Sequence, residues 1–134
     1  RAKITSKRVV FKQANMLEPW AFTDQKLFDL ITFSLVLEHI ENLFPVFEKA
    51  AKVLNTNGLI YIGELHPFKQ YNGAKARFNT ESGVEIVECY NHHISDFTTA
   101  ASSNGLKLVE LNEYFDDNNK LDIPRILGLL FQKN

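Results

Sequence analysis

The sequence predicts an α/β fold, in which parallel strands come first and an antiparallel pair of strands follows. Two nearly continuous apolar runs, 28–33 and 59–63, flank an amphipathic helical pattern. Such runs are typical of strands buried on both faces of a parallel sheet, and their order predicts a βαβ crossover. Two further apolar segments, 106–115 and 126–131, are joined by the turn-rich residues 116–120, which predicts the antiparallel pair.

The composition is that of one globular domain. The 134 residues are 45% apolar and include 11 Phe, enough to build a core and to exclude a disordered chain. Lys and Arg total 15 and Asp and Glu total 16, so charge gives no broad attraction to nucleic acid or anionic membranes. The longest near-apolar run, 30–37, is too short to cross a bilayer. The single cysteine, Cys89, suits a reducing cytoplasm, where we expect the protein.

The first half alternates apolar segments with polar breaks. Residues 8–14 predict a short strand, because β-branched and aromatic residues dominate, and 15–20 predict a loop stopped by Pro19. A helix is predicted over 43–54, before Asn57-Gly58 ends the unit. Its inward face has the spacing i, i+3, i+4, i+7 and consists of Phe47, Ala50, Ala51 and Leu54.

The second half begins with a polar stretch. Residues 64–79 predict an irregular segment, and the alternating residues 84–89 predict a strand with one wet face. Ser95 and Asp96 predict the start of a helix that runs to about Ser103 and closes at Asn104-Gly105. The inward residues of this helix are Phe97, Ala100 and Ala101.

Three stretches of the chain, in this order and spacing, resemble a known enzyme family. They are Val9–Pro19, Phe28–Ile40 with its Leu-Glu-His ending, and Leu54–Ile62 with its Asn-Gly before an apolar run. They are similar to the third, fourth and fifth strands of class I S-adenosylmethionine-dependent methyltransferases, and the closing antiparallel pair agrees as well. The resemblance covers nearly the whole chain and implies a partial Rossmann-like methyltransferase sheet.

The chain departs from this family at its front. The family's first strand, Gly-rich turn and acidic residue after the second strand have no counterpart, and no GxGxG pattern occurs. We therefore expect residues 1–134 to be a single, partial domain from the back of a longer enzyme, inactive by itself. The surface left by the missing part would favour self-association or a partner.

The resemblance implies where S-adenosylmethionine would bind. Asn15, Met16 and Leu17 would line the adenine side, and Ser34 and Leu35 would lie under the methionine part. Ligands in such sheets bind outside the carboxyl ends of the strands. An Asx turn with a core Met is the alternative for the first three residues, and a plain strand end is the alternative for the last two.

Methyl transfer asks the protein to align the acceptor, to exclude water and to take up a proton. His39 and His66 are the candidate catalytic residues, and Glu64, His66 and His93 are the candidate substrate contacts. The alternatives are a helix-start His bonded to backbone for His39 and a solvated loop His for His66. Glu38 is expected to be a solvated or first-turn carboxylate near a helix N-terminus.

The sequence predicts no metal-binding site. Leu35 occupies the position where some relatives carry an extra metal-binding Glu. His92 and His93 are adjacent, so in a strand they would point to opposite faces and would not easily bind one ion. Cys89 fits a buried small apolar residue better than a nucleophile.

Two functions from different classes follow. The first is methyl transfer from S-adenosylmethionine to an unidentified small molecule by the full-length parent protein. The second is a non-catalytic methyltransferase-like remnant that acts as an interaction module. A nicotinamide-binding domain is a weaker third interpretation, because the Gly fingerprint is missing and the terminal strands are antiparallel.

Overall fold

The computed structural model describes residues 8–73, 77–80, 83–86 and 89–134, the two short middle ranges by their backbone alone. Within these residues the chain forms six strands and three α-helices. In chain order they are β1 (Phe28–Ser34), α1 (Leu43–Lys52), β2 (Leu54–Leu65), α2 (Pro67–Tyr71), β3 (Arg77–Thr80), β4 (Gly83–Ile86), α3 (Ile94–Ser102), β5 (Leu106–Tyr114) and β6 (Ile126–Lys133). Short 3-10 helices span Ala21–Thr23, Leu37–His39 and Asp116–Asn118.

The strands β1 and β2 are parallel neighbours, and α1 connects them, which confirms the predicted βαβ crossover. Their register runs from Leu30 opposite Leu59 to Ser34 opposite Gly63. The side chain of Asn42 caps α1 by accepting a hydrogen bond of 3.1 Å from the Phe44 N–H. Because parallel strands end on the same side, residues after Ser34 and Leu65 meet at one edge of the sheet.

The remaining sheet is antiparallel, as predicted. The order is β1-β2-β6-β5, so β6 lies between β2 and β5 and pairs antiparallel with both. β3 and β4 form a separate antiparallel pair. The mixed sheet confirms the predicted fold class.

The core lies between the sheet and the helices α1 and α3. Phe47 of α1 meets Phe131 of β6 edge to face, with ring centroids 6.1 Å apart. The predicted inward residues of both helices are buried, which confirms the two amphipathic patterns. They are Phe47, Ala50, Ala51 and Leu54 for the first helical pattern and Phe97, Ala100 and Ala101 for the second. None of the described helices is long and apolar enough to span a membrane.

The strand predicted over 8–14 is wrong. Those residues form no strand, and Val9, Val10 and Phe11 are 49%, 75% and 47% exposed. A strand requires a neighbour for its backbone hydrogen bonds, and no described strand pairs with this segment. Asn15–Leu17 therefore do not follow a strand end, although the loop over 15–20 is confirmed.

Burial of β1 on both faces is also wrong. Leu30 is 55% exposed and Phe28 is 37% exposed, whereas Phe33 is buried. β1 is the edge of the described four-stranded sheet, so part of its apolar surface faces solvent. The apolar run indicated a strand correctly but did not reveal its place in the sheet.

Several boundaries differ from the predictions. α1 ends at Lys52 rather than at residue 54. β2 begins at Leu54 rather than at residue 59, and its register with β1 is irregular between these two positions, where Asn57 has a left-handed φ of 66°. The segment predicted to be irregular over 64–79 contains the helix α2 and the strand β3.

The start of α3 was misplaced by two residues. His93 occupies the N-cap position, and the Asp96 carboxylate accepts a 2.8 Å hydrogen bond from its backbone N–H. Gly105, with a φ of 71°, closes the helix as predicted. Of the predicted strand over 84–89, residues 84–86 belong to β4 and Cys89 does not, whereas 87 and 88 and the facing of the side chains lie outside the described residues.

Candidate functional site

The candidate site is the edge of the sheet where β1 and β2 end, here called the carboxyl rim and comprising residues 34–40 and 64–66. The backbone N–H of Leu35 donates to the Gly63 carbonyl at 2.9 Å, so the two strand ends are joined directly. Leu35 has a left-handed φ of 51°, an unfavourable conformation for a residue with a branched side chain. Ser34 and Leu35 are both exposed. The turn therefore presents the end of β1 to solvent.

The carboxylate of Glu64 stabilises this turn by hydrogen bonds to its backbone. Its Oε2 atom accepts hydrogen bonds of 3.2 Å from the N–H groups of Val36 and Leu37. The residue is only 2% exposed, and its Oε1 atom has no hydrogen-bond partner. Burial raises the pKa of Glu64, and the negative charge of Glu38 raises it further. The hydrogen bonds from the backbone N–H groups lower it and so oppose this effect in part. Glu64, a predicted substrate contact, is thus a buried part of the rim, and its carboxylate binds the backbone of the turn.

Glu38 is a second buried carboxylate at the rim. It is 6% exposed, its Oε2 atom has no hydrogen-bond partner, and burial raises its pKa. The backbone N–H of Tyr90 donates to the Glu38 carbonyl at 2.7 Å, so the segment around residue 90 covers it. Glu38 is therefore a carboxylate in the first turn of the 3-10 helix Leu37–His39, which is one of the two predicted alternatives, and it is buried rather than solvated.

His39 lies beside these carboxylates and remains partly accessible. Its side chain is 31% exposed, and its Nε2 atom is 3.8 Å from Oε1 of Glu38. On the other side of the ring, Nδ1 is 3.9 Å from the sulfur of Cys89. Of the two candidate catalytic histidines, His39 is the one that solvent reaches.

His66 is fully buried, and its two ring nitrogens both face protein groups. Nδ1 accepts a 3.1 Å hydrogen bond from the Phe68 N–H and caps α2. Nε2 is 2.6 Å from Oε2 of Glu113 on β5. Since Nδ1 accepts, the proton of the neutral ring lies on Nε2 and is donated to the carboxylate. This geometry favours a role for His66 in fixing α2 and leaves no nitrogen for a substrate proton.

His93 lies next to the exposed side of α2. Its Nδ1 atom is hydrogen-bonded to the Tyr71 hydroxyl, and the two ring centroids are 5.5 Å apart. Its neighbour His92 points elsewhere and is buried, with Nε2 donating a 2.7 Å bond to the Ile40 carbonyl. The two adjacent histidines therefore point to different parts of the structure.

The loop with Asn15, Met16 and Leu17 lies against α1. Oδ1 of Asn15 accepts a 3.0 Å bond from the Leu17 N–H, which is the Asx turn of the alternative interpretation. Nζ of Lys49 donates to the Leu17 carbonyl at 2.9 Å, and Met16 packs against the core. Among the described residues, the hydrogen bonds of this loop do not reach the carboxyl rim. A role for these residues in cofactor binding stays a prediction.

The structure therefore brings together most of the predicted site. Ser34, Leu35, His39, Glu64 and His66 lie at the carboxyl rim, and His93 joins it through α2 and the segment around residue 90. Among the described residues, no group of three or more His, Cys, Asp or Glu side chains is placed to hold a metal ion. A cavity of about 670 Å³ between the start of α1 and α3 is lined by none of the predicted site residues.

Three further residues of this region, Phe68, Tyr71 and Glu113, are not among the predicted site residues. Glu113 was read only as part of a strand, although it pairs with His66. Phe68 and Tyr71 lie in a segment that was predicted to be irregular but forms the helix α2, where their side chains are 48% and 50% exposed. The Pro67 that opens α2 was the available signal, because proline is favoured in the first turn of a helix.

Comparison with known proteins identifies the family. A family model described as "Methyltransferase domain" matches residues 1–122. The chain belongs to this methyltransferase domain family. No relative was found among curated proteins. The match confirms the resemblance to methyltransferases seen in the sequence.

Solved structures of methyltransferases share the fold. A provisionally assigned S-adenosylmethionine-dependent methyltransferase from Listeria monocytogenes superposes with a TM-score of 0.75 at 18% identity, over 98% of this chain and 72% of that one. S-adenosylmethionine-dependent methyltransferases from Mesorhizobium loti and Clostridium acetobutylicum give TM-scores of 0.63 and 0.64, at 16% and 13% identity. Each covers 81% of this chain, which spans 65% and 59% of their lengths.

Proposed function

We propose that this chain forms the acceptor-side part of an S-adenosylmethionine-dependent methyltransferase that acts on a small molecule. The family match over residues 1–122 carries the proposal. The parallel pair β1 and β2, whose joined ends form the carboxyl rim, supports it, because ligands of such sheets bind at this edge. We also propose that residues 1–134 are one partial domain of a longer protein.

The residues of the rim suit one side of the cofactor. Ser34 and Leu35 are exposed and would hold its methionine part, and the loop Asn15–Leu17 would face its adenine. The cofactor is positively charged at sulfur, and the nearby Glu38 and Glu64 each keep a carboxylate oxygen without a hydrogen-bond partner. When bound, the cofactor supplies a methyl group already activated by that positive sulfur.

The protein's own part of the work is positioning and proton uptake. His66 fixes α2 at the end of β2, and Glu64 fixes the turn that carries Leu35. His39 and His93 are imidazoles near this edge that solvent reaches, His39 in part, and both can hold a proton released by an acceptor. Glu64 and His66 would contribute to substrate binding indirectly, because they fix the turn around Leu35 and the start of α2.

The proposed acceptor is a small molecule rather than nucleic acid or a membrane. The chain carries 15 basic and 16 acidic residues, which gives no surplus of positive charge for phosphates. The lone cysteine is consistent with a location in the cytoplasm.

A second candidate function, an interaction module without catalysis, is favoured by the apolar surface beside β1. Leu27 precedes β1 and Leu30 belongs to it, and they are 58% and 55% exposed, whereas Val10 is 75% exposed and lines a cavity with Phe28 of β1. Such a patch favours self-association or a partner protein. Light scattering at several concentrations tests this candidate: concentration-dependent dimers support it, and a stable monomer contradicts it.

Calorimetric titration with S-adenosylhomocysteine tests the methyltransferase proposal, using the natural full-length protein that contains this chain. Binding supports the proposal, and no heat at millimolar ligand rejects it. Leu35→Arg places a positive charge at the rim, where it should weaken binding of S-adenosylmethionine about 10-fold. Val109→Arg is the matched control, because Val109 is 50% exposed on β5, the edge of the sheet opposite to β1, and it should leave binding unchanged.

A further inference from the structure

The exposed side of α2 carries two aromatic rings, Phe68 and Tyr71, here called the aromatic face. They are 48% and 50% exposed, and their ring centroids are 6.3 Å apart. α2 begins two residues after β2 ends, so this face stands beside the carboxyl rim. Exposed aromatic rings placed side by side suit a flat apolar ligand, which can pack against both.

A polar pair adjoins the aromatic face. The Tyr71 hydroxyl and Nδ1 of His93 are hydrogen-bonded, and both residues are exposed. The Asp96 carboxylate accepts from the His93 N–H, which fixes this residue at the start of α3. Its neighbour His92 is turned away and bonded to the Ile40 carbonyl. A ligand on the aromatic face therefore lies next to a phenol that is already bonded to an imidazole.

We propose that Tyr71 and His93 form the proton-accepting pair of the acceptor site, and that the aromatic face selects an aromatic acceptor with a hydroxyl group. The inference rests on the methyltransferase function proposed above. Tyr71 is then a catalytic residue, and His66 is a positioning residue. His66 serves this site because its Nδ1 caps α2 and its Nε2 is held by Glu113.

The transfer of the methyl group is coupled to a proton relay through this pair. The acceptor oxygen forms a bond to the methyl carbon while the S–CH₃ bond breaks, and the electron pair of that bond stays on sulfur, which becomes a neutral thioether. The acceptor proton passes to the oxygen of Tyr71, whose own proton passes to Nδ1 of His93. The resulting imidazolium returns a proton to water, because His93 is exposed.

Nuclear magnetic resonance of the full-length protein tests this inference with two probes, p-cresol and 4-methylanisole, which differ by the hydroxyl proton. Both should shift the resonances of α2. Only p-cresol should also shift the ¹⁵N resonance of Nδ1 of His93, because only its hydroxyl can donate a hydrogen bond to the Tyr71 oxygen. Phe68→Ala should weaken both probes about fivefold, since one ring contact is lost.

Tyr71→Phe separates the proton path from packing. It keeps the ring, so p-cresol should bind with nearly unchanged affinity, but the shift at His93 should disappear. Tyr114→Phe is the control for loss of an exposed phenol hydroxyl, because Tyr114 is also 50% exposed but belongs to β5 rather than to α2. It should preserve both the affinity and the His93 response.

The inference is overturned if 4-methylanisole moves the His93 resonance as p-cresol does, or if the shift persists in Tyr71→Phe. It is also overturned if the probes bind away from α2. A titration of the same samples with S-adenosylhomocysteine distinguishes the two proposals. Binding of that ligand without the p-cresol response rejects only the aromatic site, whereas its failure to bind rejects the methyltransferase function and the proton-accepting role with it.

Discussion

Nε2 of His66 lies 2.6 Å from Oε2 of Glu113, although 47 residues separate them in the chain. This contact links the end of β2 to β5, the far edge of the sheet. Because Nδ1 of the same ring caps α2, the imidazole connects three elements at once. We therefore expect the position of α2 to depend on the carboxylate of Glu113.

Replacing Glu113 by Ala should destabilise the protein by about 1 kcal/mol. The buried Nε2–H of His66 then loses its acceptor, although water can partly replace a side chain that is 37% exposed. Urea unfolding measures the change, and faster hydrogen exchange at the Phe68 amide should accompany it. Glu110→Ala on the same strand is the control, because Glu110 is exposed. Equal losses from the two variants would contradict the prediction.

The buried Glu64 should make stability depend on pH. Burial raises its pKa from the ordinary 4.5, so the folded state retains the proton to a higher pH than the unfolded chain does. The stabilising contribution is fully present below about pH 4.5 and is lost as the pH rises through the folded pKa. Glu64→Gln should remove this loss, and the Gln carbonyl can still accept from Val36 and Leu37.

Urea unfolding between pH 4 and pH 8 checks this prediction. The free energy of unfolding of Glu64→Gln should fall less with increasing pH than that of the wild type. Glu41→Gln serves as the control at an exposed carboxylate close to the rim, and its profile should follow the wild type. Parallel profiles for all three proteins would show that Glu64 does not titrate differently in the folded state.

Gly105→Ala should destabilise the protein by about 1 kcal/mol. Gly105 has a φ of 71°, and an added Cβ would meet no atom within 4 Å, so the cost is conformational rather than steric. Gly105→Asn should cost less, because Asn tolerates the left-handed region better. Thermal unfolding of both variants measures the difference. A loss from Asn as large as that from Ala would argue against this explanation.

Phe47→Ala should cost about 3–5 kcal/mol, because it removes a ring that is 1% exposed and packed against Phe131. The matched control is Phe44→Ala on the same helix, where the ring is 43% exposed. That variant should change the free energy of unfolding by no more than about 0.5 kcal/mol. Similar losses at both positions in urea unfolding would contradict the assigned core.

Local patterns predicted the elements whose partners follow closely in the chain. The apolar run 28–33, the helical spacing around Phe47 and the two closing strands are confirmed, because periodicity reports which face of an element is buried. The strand predicted over 8–14 failed for the opposite reason. Its residues have strand propensity, but pairing depends on a neighbour, and propensity carries no information about that.

The site was predictable only in part. The rule that ligands bind at the carboxyl ends of strands led to Ser34, Leu35 and His39 at one edge. The burial of Glu38 and the contact of His66 with Glu113 depend on segments about 50 residues away, so no local pattern reports them. Of the exposed pair Tyr71 and His93, only His93 was among the predicted site residues.

The place of β6 in the sheet bears on how the chain acquires its structure during synthesis. This strand comes last among the described elements, yet it lies between β2 and β5 and pairs with both. Until residue 133 has left the ribosome, both of these strands lack their shared neighbour, and their apolar side chains stay available to other proteins. Assembly of the sheet is therefore expected to be a late and comparatively slow event, in which chaperones have time to act.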